Sequence, residues 1–157
     1  MNSIIIFCAQ YLFLFVIAAI LVALYLEKKE NRLRFFATII LAGIIAFILS
    51  RIAGKLYYDP RPFVREHVKP LIKHIADNGF PSDHALLTGT LTAVAYFFNK
   101  KVFVVMLVLS VLVALGRVLS KLHSPLDIAG GWIFGIIGAL ASYYLVRWYL
   151  SRNKANS

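Results

Sequence analysis

Residues 3–26 run for 24 positions without one charged side chain. A bilayer core is spanned by about 20 apolar residues of helix. Within lipid only helices and closed barrels satisfy their own backbone. The segment makes a poor signal peptide. Its lead, Met1-Asn2-Ser3, carries no positive charge, and its apolar run exceeds the roughly 7–15 residues such peptides use. Four further apolar segments follow, at 35–54, 82–98, 102–122 and 126–146. Apolar residues make up 61% of the 157 and charged residues 15%, against roughly 45–50% and about 25% in soluble domains. A soluble globule and a disordered chain are both excluded. The expectation is an all-α integral membrane bundle of about five transmembrane helices, forming a single domain over 1–157.

Residues 57–79 are polar and mixed and hold Pro60, Pro62 and Pro70. They read as an interfacial loop, with room for a short surface helix around 63–75. Lys and Arg exceed Asp and Glu by 17 to 7, a net charge of +10. In a membrane protein this suits anionic lipid or an anionic substrate. The cations are scattered between apolar runs with no basic stripe, which argues against nucleic acid. The single cysteine, Cys8, excludes an intrachain disulfide and a multi-cysteine metal site. Alternation puts the 27–34 turn, the 99–101 turn and the C-terminal tail on one face, with nine Lys/Arg: Lys28, Lys29, Arg32, Arg34, Lys100, Lys101, Arg147, Arg152 and Lys154. The other eight lie at the opposite face, five of them in one loop between Lys55 and Lys73 and three inside span ends, so the positive-inside rule is taken to make the first face cytoplasmic. The N-terminus and the 55–81 loop then lie outside, in a multi-pass protein of the cell membrane.

Ionisable groups within spans are costly and are functional candidates by default. Arg51 and Lys55 end the second span, Asp83 and His84 begin the third, Arg117 and Lys121 end the fourth, and His123 and Asp127 begin the fifth. Alternation places all four ends at one membrane face, so one polar cluster is expected there. Ser82, after Phe80-Pro81, reads as an N-cap. The helix it opens offers free N–H groups and a positive dipole end, which suit a phosphate. Asp83 in that first turn also complements the dipole, which is its purely structural reading. In His123-Ser124-Pro125-Leu126-Asp127, Ser124 and Asp127 fit a capping box and Pro125 fits the first helical position. Asp127 is therefore either a cap partner or a functional carboxylate. A lone histidine at a span end is usually packing. Two at one face, His84 and His123, suggest an imidazole that attacks phosphorus and one that moves a proton. His67 and His74 read as solvated or interfacial. Gly131, Gly135 and Ala139 form small-xxx-small pairs that let helices approach closely.

These residues resemble the three signatures of the type 2 phosphatidic acid phosphatase superfamily. Lys55 to Arg61-Pro62 resembles the first, Pro81-Ser82-Asp83-His84 the second, and Gly116-Arg117 through His123 to Asp127 the third. They occur in order, each at a span end. Tyr-Tyr-Asp-Pro-Arg-Pro-Phe and Asn-Gly-Phe-Pro-Ser-Asp-His look like the bacitracin-resistance type of undecaprenyl-diphosphatase. Three departures stand out. Five residues separate Lys55 from Arg61, one fewer than usual in the family. Asp83 replaces the usual glycine, adding a charge that repels substrate unless it is paired or turned away. Gly116 replaces the usual serine. Family members commonly have one more span than this chain, and it would precede Ser3.

The resemblance implies a metal-free hydrolase without cofactor, acting on a polyprenyl or other lipid phosphate. His123 would take the phosphoryl group as a phosphohistidine. Asp127 would hold its ring, and His84 would protonate the leaving oxygen. Lys55, Arg61, Ser82, Arg117 and the backbone N–H of Asp83 would bind phosphate oxygens. The implied substrate is undecaprenyl diphosphate, with phosphatidylglycerol phosphate or phosphatidic acid as alternatives. Three rival classes stay open. One is a zinc hydrolase using His84, Asp83, His123 and Asp127, which the nearby cations oppose. Another is a serine hydrolase on Ser82, which lacks a Gly-x-Ser-x-Gly elbow. The third is a membrane protein that binds or transports a lipid phosphate without cleaving it. The sequence leaves the oligomeric state open.

Overall fold

The computed structural model describes residues 2–155, with side chains through Asn153. Lys154, counted above with the cytoplasmic cations, therefore has no described side chain. The chain is helical: α1 Asn2–Gln10, α2 Phe13–Leu26, α3 Lys29–Leu56, α4 Pro62–Arg65, α5 Asp83–Phe98, α6 Lys100–Leu119 and α7 Pro125–Ala155. The expected all-α membrane bundle is what forms.

Three helices, α3, α6 and α7, are long and apolar enough to cross a bilayer. The first apolar segment is not one straight helix. It bends by 44° between α1 and α2. Through the bend the backbone bonds tighten and loosen, with Leu12 N–H on Phe7 O at 3.2 Å and Phe15 N–H on Leu12 O at 3.1 Å. As one bent span the pair makes a fourth. α5 has 16 residues, or about 24 Å at 1.5 Å per residue, short of the roughly 30 Å hydrocarbon core. The serine that caps it, Ser82, is fully buried.

Charged flanks extend the helices beyond their apolar runs. Only Glu27 and Lys28 separate α2 from α3, so most of the expected 27–34 turn is helix. α7 likewise carries Arg147 and Arg152 in its final turns. Asn99 caps α6, its side chain accepting from the N–H of Lys101 and of Val102 at 3.1 Å each. The 57–82 loop contains one four-residue helical turn, α4, and no longer surface helix.

α5 packs against α3, α6 and α7, and α1 and α2 lie along α6. Val16, Ile20, Phe35, Ala42, Val94, Met106 and Ala139 form the buried core. Large apolar side chains such as Ile44, Phe47, Leu115 and Ile133 cover the outside, the surface a bilayer solvates. Small residues set the spacing between α5 and α7. A Cβ at Gly135 would stand 2.6 Å from the Thr90 backbone N. Gly116 answers to the same constraint, since a Cβ there would meet Ala9 N of α1 at 2.6 Å. The glycine that replaces the family's serine is thus the seat of α1.

Overpacking such a contact costs about 1–3 kcal/mol. Gly135→Ala is expected to lower the thermal midpoint in detergent by that equivalent. Gly43→Ala, whose Cβ meets nothing within 4 Å, should leave it unchanged. Equal midpoints would mean that the α5–α7 spacing is not set by Gly135.

Candidate active site

The four polar helix ends do converge. They enclose a cavity of about 490 Å³. Lys55, Arg61, Asp83, His84, Arg117 and His123 line it, so six of the eight sequence-derived site residues share one wall. The other two, Ser82 and Asp127, are fully buried behind it. Despite the shortened spacing, Lys55 and Arg61 both reach the cavity, because α3 ends at Leu56 and the chain turns back into α4. Lys121 does not line it. That residue has φ +62 in the turn after α6, and its Nζ pairs outward with Glu66 at 2.8 Å.

Local rules build each corner. Ser82 caps α5, its Oγ accepting from Ala85 N–H at 3.5 Å. Ser124 and Asp127 form the capping box that starts α7. Ser124 N–H donates to Asp127 Oδ2 at 2.8 Å, and Asp127 N–H donates to Ser124 Oγ at 3.2 Å. The Ser82 N–H donates to Asp127 O at 3.1 Å, which joins the starts of α5 and α7.

His123 is 3% exposed and held at both ring nitrogens. Nδ1 lies 3.0 Å from Gly79 O and 3.3 Å from Asp127 Oδ2. Both are acceptors when Asp127 is ionised, so Nδ1 carries the proton. Nε2 lies 3.2 Å from Arg61 Nη1 and 3.2 Å from Arg117 Nη2. A guanidinium only donates, so Nε2 presents a lone pair. The neutral Nδ1–H tautomer follows from the partners alone. Burial lowers the His123 pKa and the two arginines lower it further, against the opposing hydrogen bond of Asp127. Gly79 makes this seat possible: a Cβ there would stand 2.9 Å from Asp127 Oδ2.

Arg61 makes further hydrogen bonds. Its Nε donates to Asp77 at 2.6 Å and its Nη1 to Leu122 O at 3.0 Å. Partial burial alone would raise the Asp77 carboxyl. The hydrogen bond and charge of Arg61, with His74 adding, hold it below its ordinary value. Arg117 is 6% exposed. Its Nη1 reaches Ala9 O at 3.4 Å, and its buried Nε has no partner among the described residues. Asp83 is paired with Arg51 of α3, which answers the repulsion expected of its charge. His84 packs edge-on to Phe13, ring centroids 4.9 Å apart. Its ring makes no hydrogen bond among the described residues, so it is free to meet a ligand.

Several wall and supporting residues escape sequence reasoning. His74, read as solvated or interfacial, lines the cavity with Asp77 and Asn78. Asn78 staples the loop to the end of α3. It donates to Gly54 O and Tyr57 O at 2.9 Å each, and accepts from the N–H of Asp59 and of Phe80 at 3.0 Å each. Asp59 is 7% exposed. It accepts from Ser124 Oγ at 2.8 Å, and its carbonyl accepts from Gly79 N–H at 2.8 Å. Both neighbours of His123 thus rest on Asp59. Only the adjacent Pro60 and Gly79 marked these positions, as turn. No group of three His, Cys, Asp or Glu side chains able to hold a metal ion occurs among the described residues.

Comparison with known proteins places the chain in a family. The chain is 34% identical over 145 residues to the bacitracin transport permease protein BcrC of Bacillus licheniformis, covering 92% of this chain and 71% of that one. It is 28% identical over 137 residues to undecaprenyl-diphosphatase BcrC of Bacillus subtilis, covering 87% and 70%. It is 32% identical over 144 residues to the putative undecaprenyl-diphosphatase YbjG of Escherichia coli, covering 90% and 72%. The crystal structure of Aquifex aeolicus LpxE shares the fold, with a TM-score of 0.65 at 20% identity over 89% of this chain and 92% of that one. The PAP2 superfamily model matches residues 33–151, a stretch that holds every residue of the cavity wall. The chain belongs to the PAP2 superfamily.

Proposed function

We propose that the protein is a membrane lipid diphosphatase that hydrolyses undecaprenyl diphosphate to undecaprenyl phosphate through a phosphohistidine on His123. The observation that carries this is the Nε2 lone pair of His123, fixed by tautomer at the wall of a cationic cavity. The names of the Bacillus subtilis and Escherichia coli relatives support the substrate class. The placing of nine Lys/Arg in the turns and tail of one face, against eight held mostly in one loop and in span ends of the other, supports an active site on the extracytoplasmic face of the cell membrane.

The terminal phosphate enters and draws the guanidinium donors of Arg61 and Arg117 onto its oxygens. Two forks match phosphate geometry and compensate its charge. Nε2, freed of those donors, attacks phosphorus in line. The bond to the bridging oxygen breaks, and His84 gives that oxygen its proton. Asp127 and Gly79 O hold the Nδ1–H of the imidazolium that forms. Lys55 and the N–H at the start of α5 complete the anion site, with Ser82 acting through the cap. Water then attacks the phosphohistidine with His84 as base, releasing phosphate. Charge stabilisation and placement supply most of the rate in phosphoryl transfer, and the side chains provide both without a metal.

Purified wild type in detergent with excess EDTA is expected to release phosphate from undecaprenyl diphosphate, and His123→Ala to release none. Release by both proteins would contradict the assignment of the nucleophile. Release by wild type only from phosphatidylglycerol phosphate or phosphatidic acid would move the substrate and keep the chemistry.

The lowered pKa of His123 keeps its ring neutral to lower pH than an ordinary histidine at about 6.5. Activity needs the neutral ring, so it is lost as pH falls through that lowered value. The acidic limb of kcat/KM is therefore expected below about pH 6.5. A limb above that value would contradict the buried, arginine-flanked environment.

The Asp59 side chain is a positioning group, since it acts on His123 through Ser124. Misplacing a reacting group by about 1 Å can cost about 10²-fold. Asp59→Ala is expected to lower kcat by about 10–100-fold with a smaller change in KM, and Asp59→Asn to recover most of the loss. Wild-type kcat in Asp59→Ala would remove Asp59 from the account.

A further inference from the structure

A second, apolar hollow adjoins the active site. It is a groove of about 310 Å³ between α3 and α5, walled by Gly43, Ala46, Phe47, Leu86, Leu87 and Leu91. Arg51 and Asp83 line both the groove and the polar cavity. They are the seam between the two. The groove's one hydroxyl, on Thr90, is spent on Leu86 O at 2.6 Å, so beyond the Arg51–Asp83 seam the groove is apolar. Phe47 is 56% exposed and Leu87 37%, so the groove is open along the apolar outside of the bundle. From Arg51 to Gly43 it runs for eight residues of α3, about 12 Å at the helical rise.

Arg51 pairs with Asp83, yet its side chain stays about half exposed at the seam, where a ligand can reach it. Its guanidinium reaches Ser50 Oγ at 3.2 Å, lies over the Phe47 ring at 5.1 Å, and pairs with Asp83 across the seam. Asp83 immediately precedes His84, the proton donor for the leaving oxygen. The leaving group therefore lies on the α5 side of the cavity, where the groove begins.

We propose that the α3–α5 groove takes the start of the substrate's own isoprenoid chain, and that Arg51, held by Asp83, binds the phosphate that stays on that chain. This rests on the diphosphatase reading above. A diphosphate lipid then spans the seam, with its terminal phosphate against Arg61 and Arg117. Its second phosphate lies against Arg51 and its first isoprene units lie along Phe47 and Leu87. Charge that builds on the leaving lipid phosphate develops beside a fixed guanidinium. The chain never has to cross the polar cavity to return to the bilayer.

The test compares kcat/KM for farnesyl diphosphate and dimethylallyl diphosphate, which share a head and differ in chain. Wild type is expected to prefer the longer chain. Gly43 lines the groove and a Cβ there meets nothing within 4 Å, so Gly43→Leu has room to place its side chain in the groove. It is expected to cut that preference by about tenfold, the scale of losing a few methylene contacts in a pocket. An undiminished preference in Gly43→Leu would overturn the groove assignment and leave the diphosphatase reading standing. In the second arm, Arg51→Ala is expected to lower the ratio of farnesyl diphosphate to farnesyl phosphate hydrolysis by about tenfold. An unchanged ratio would remove Arg51 from the second phosphate. No release from either diphosphate by wild type would overturn the diphosphatase reading and this proposal together.

Discussion

The hydrogen bonding of one imidazole organises this molecule. His123 Nδ1 faces two acceptors, Gly79 O and Asp127 Oδ2, while Nε2 faces two obligate donors, Arg61 and Arg117. Those four partners come from the loop before α5, the start of α7, the chain entering α4 and the end of α6. The ring can be satisfied only if those segments meet, so the tautomer and the tertiary structure specify each other. A buried polar network is favourable only when its members are paired. Here most are, and the Arg117 Nε and Asp127 Oδ1 atoms are the unpaired exceptions in this cluster.

The rest of the bundle serves that meeting. Gly79 removes a side chain that would strike Asp127, Gly116 lets α1 lie against α6, and Gly135 lets α7 lie against α5. Short α5 fits the same logic. A helix whose cap, Ser82, is buried brings its first N–H groups and His84 to the wall of the anion cavity. Asp59 and Asn78 then tie the loop to α3 and α7, so the cavity floor is hydrogen-bonded even though it is not helical.

Much of this was legible in the sequence, because charge inside an apolar run is expensive and has to be explained. Arg51, Asp83, His84, Arg117 and His123 all stood at the ends of apolar segments, and alternation alone put them on one face. The caps at Ser82 and Ser124 followed from local hydrogen-bonding rules. Element ends were less legible. Charged residues such as Lys29 and Arg147 continue a helix into the interface as readily as they end one, so α3 and α7 outrun their apolar cores. The bend between α1 and α2 had no proline or glycine to announce it. Least legible was the loop. His74, Asp77, Asn78 and Asp59 matter through contacts with residues distant in sequence, and no periodicity governs an irregular chain. The Arg51–Asp83 pair is intermediate. Each charge was visible, but their pairing across α3 and α5 needed three dimensions.

The most direct measurement is to stop turnover of a diphosphate substrate within milliseconds under alkaline conditions, which preserve phosphohistidine, and to map the phosphoryl group by mass spectrometry. The account requires it on His123, at Nε2. A phosphoryl group on His84, on Nδ1 of His123 or on Ser82 would contradict the account, because the tautomer fixed by Gly79 and Asp127 leaves Nε2 of His123 as the nucleophile.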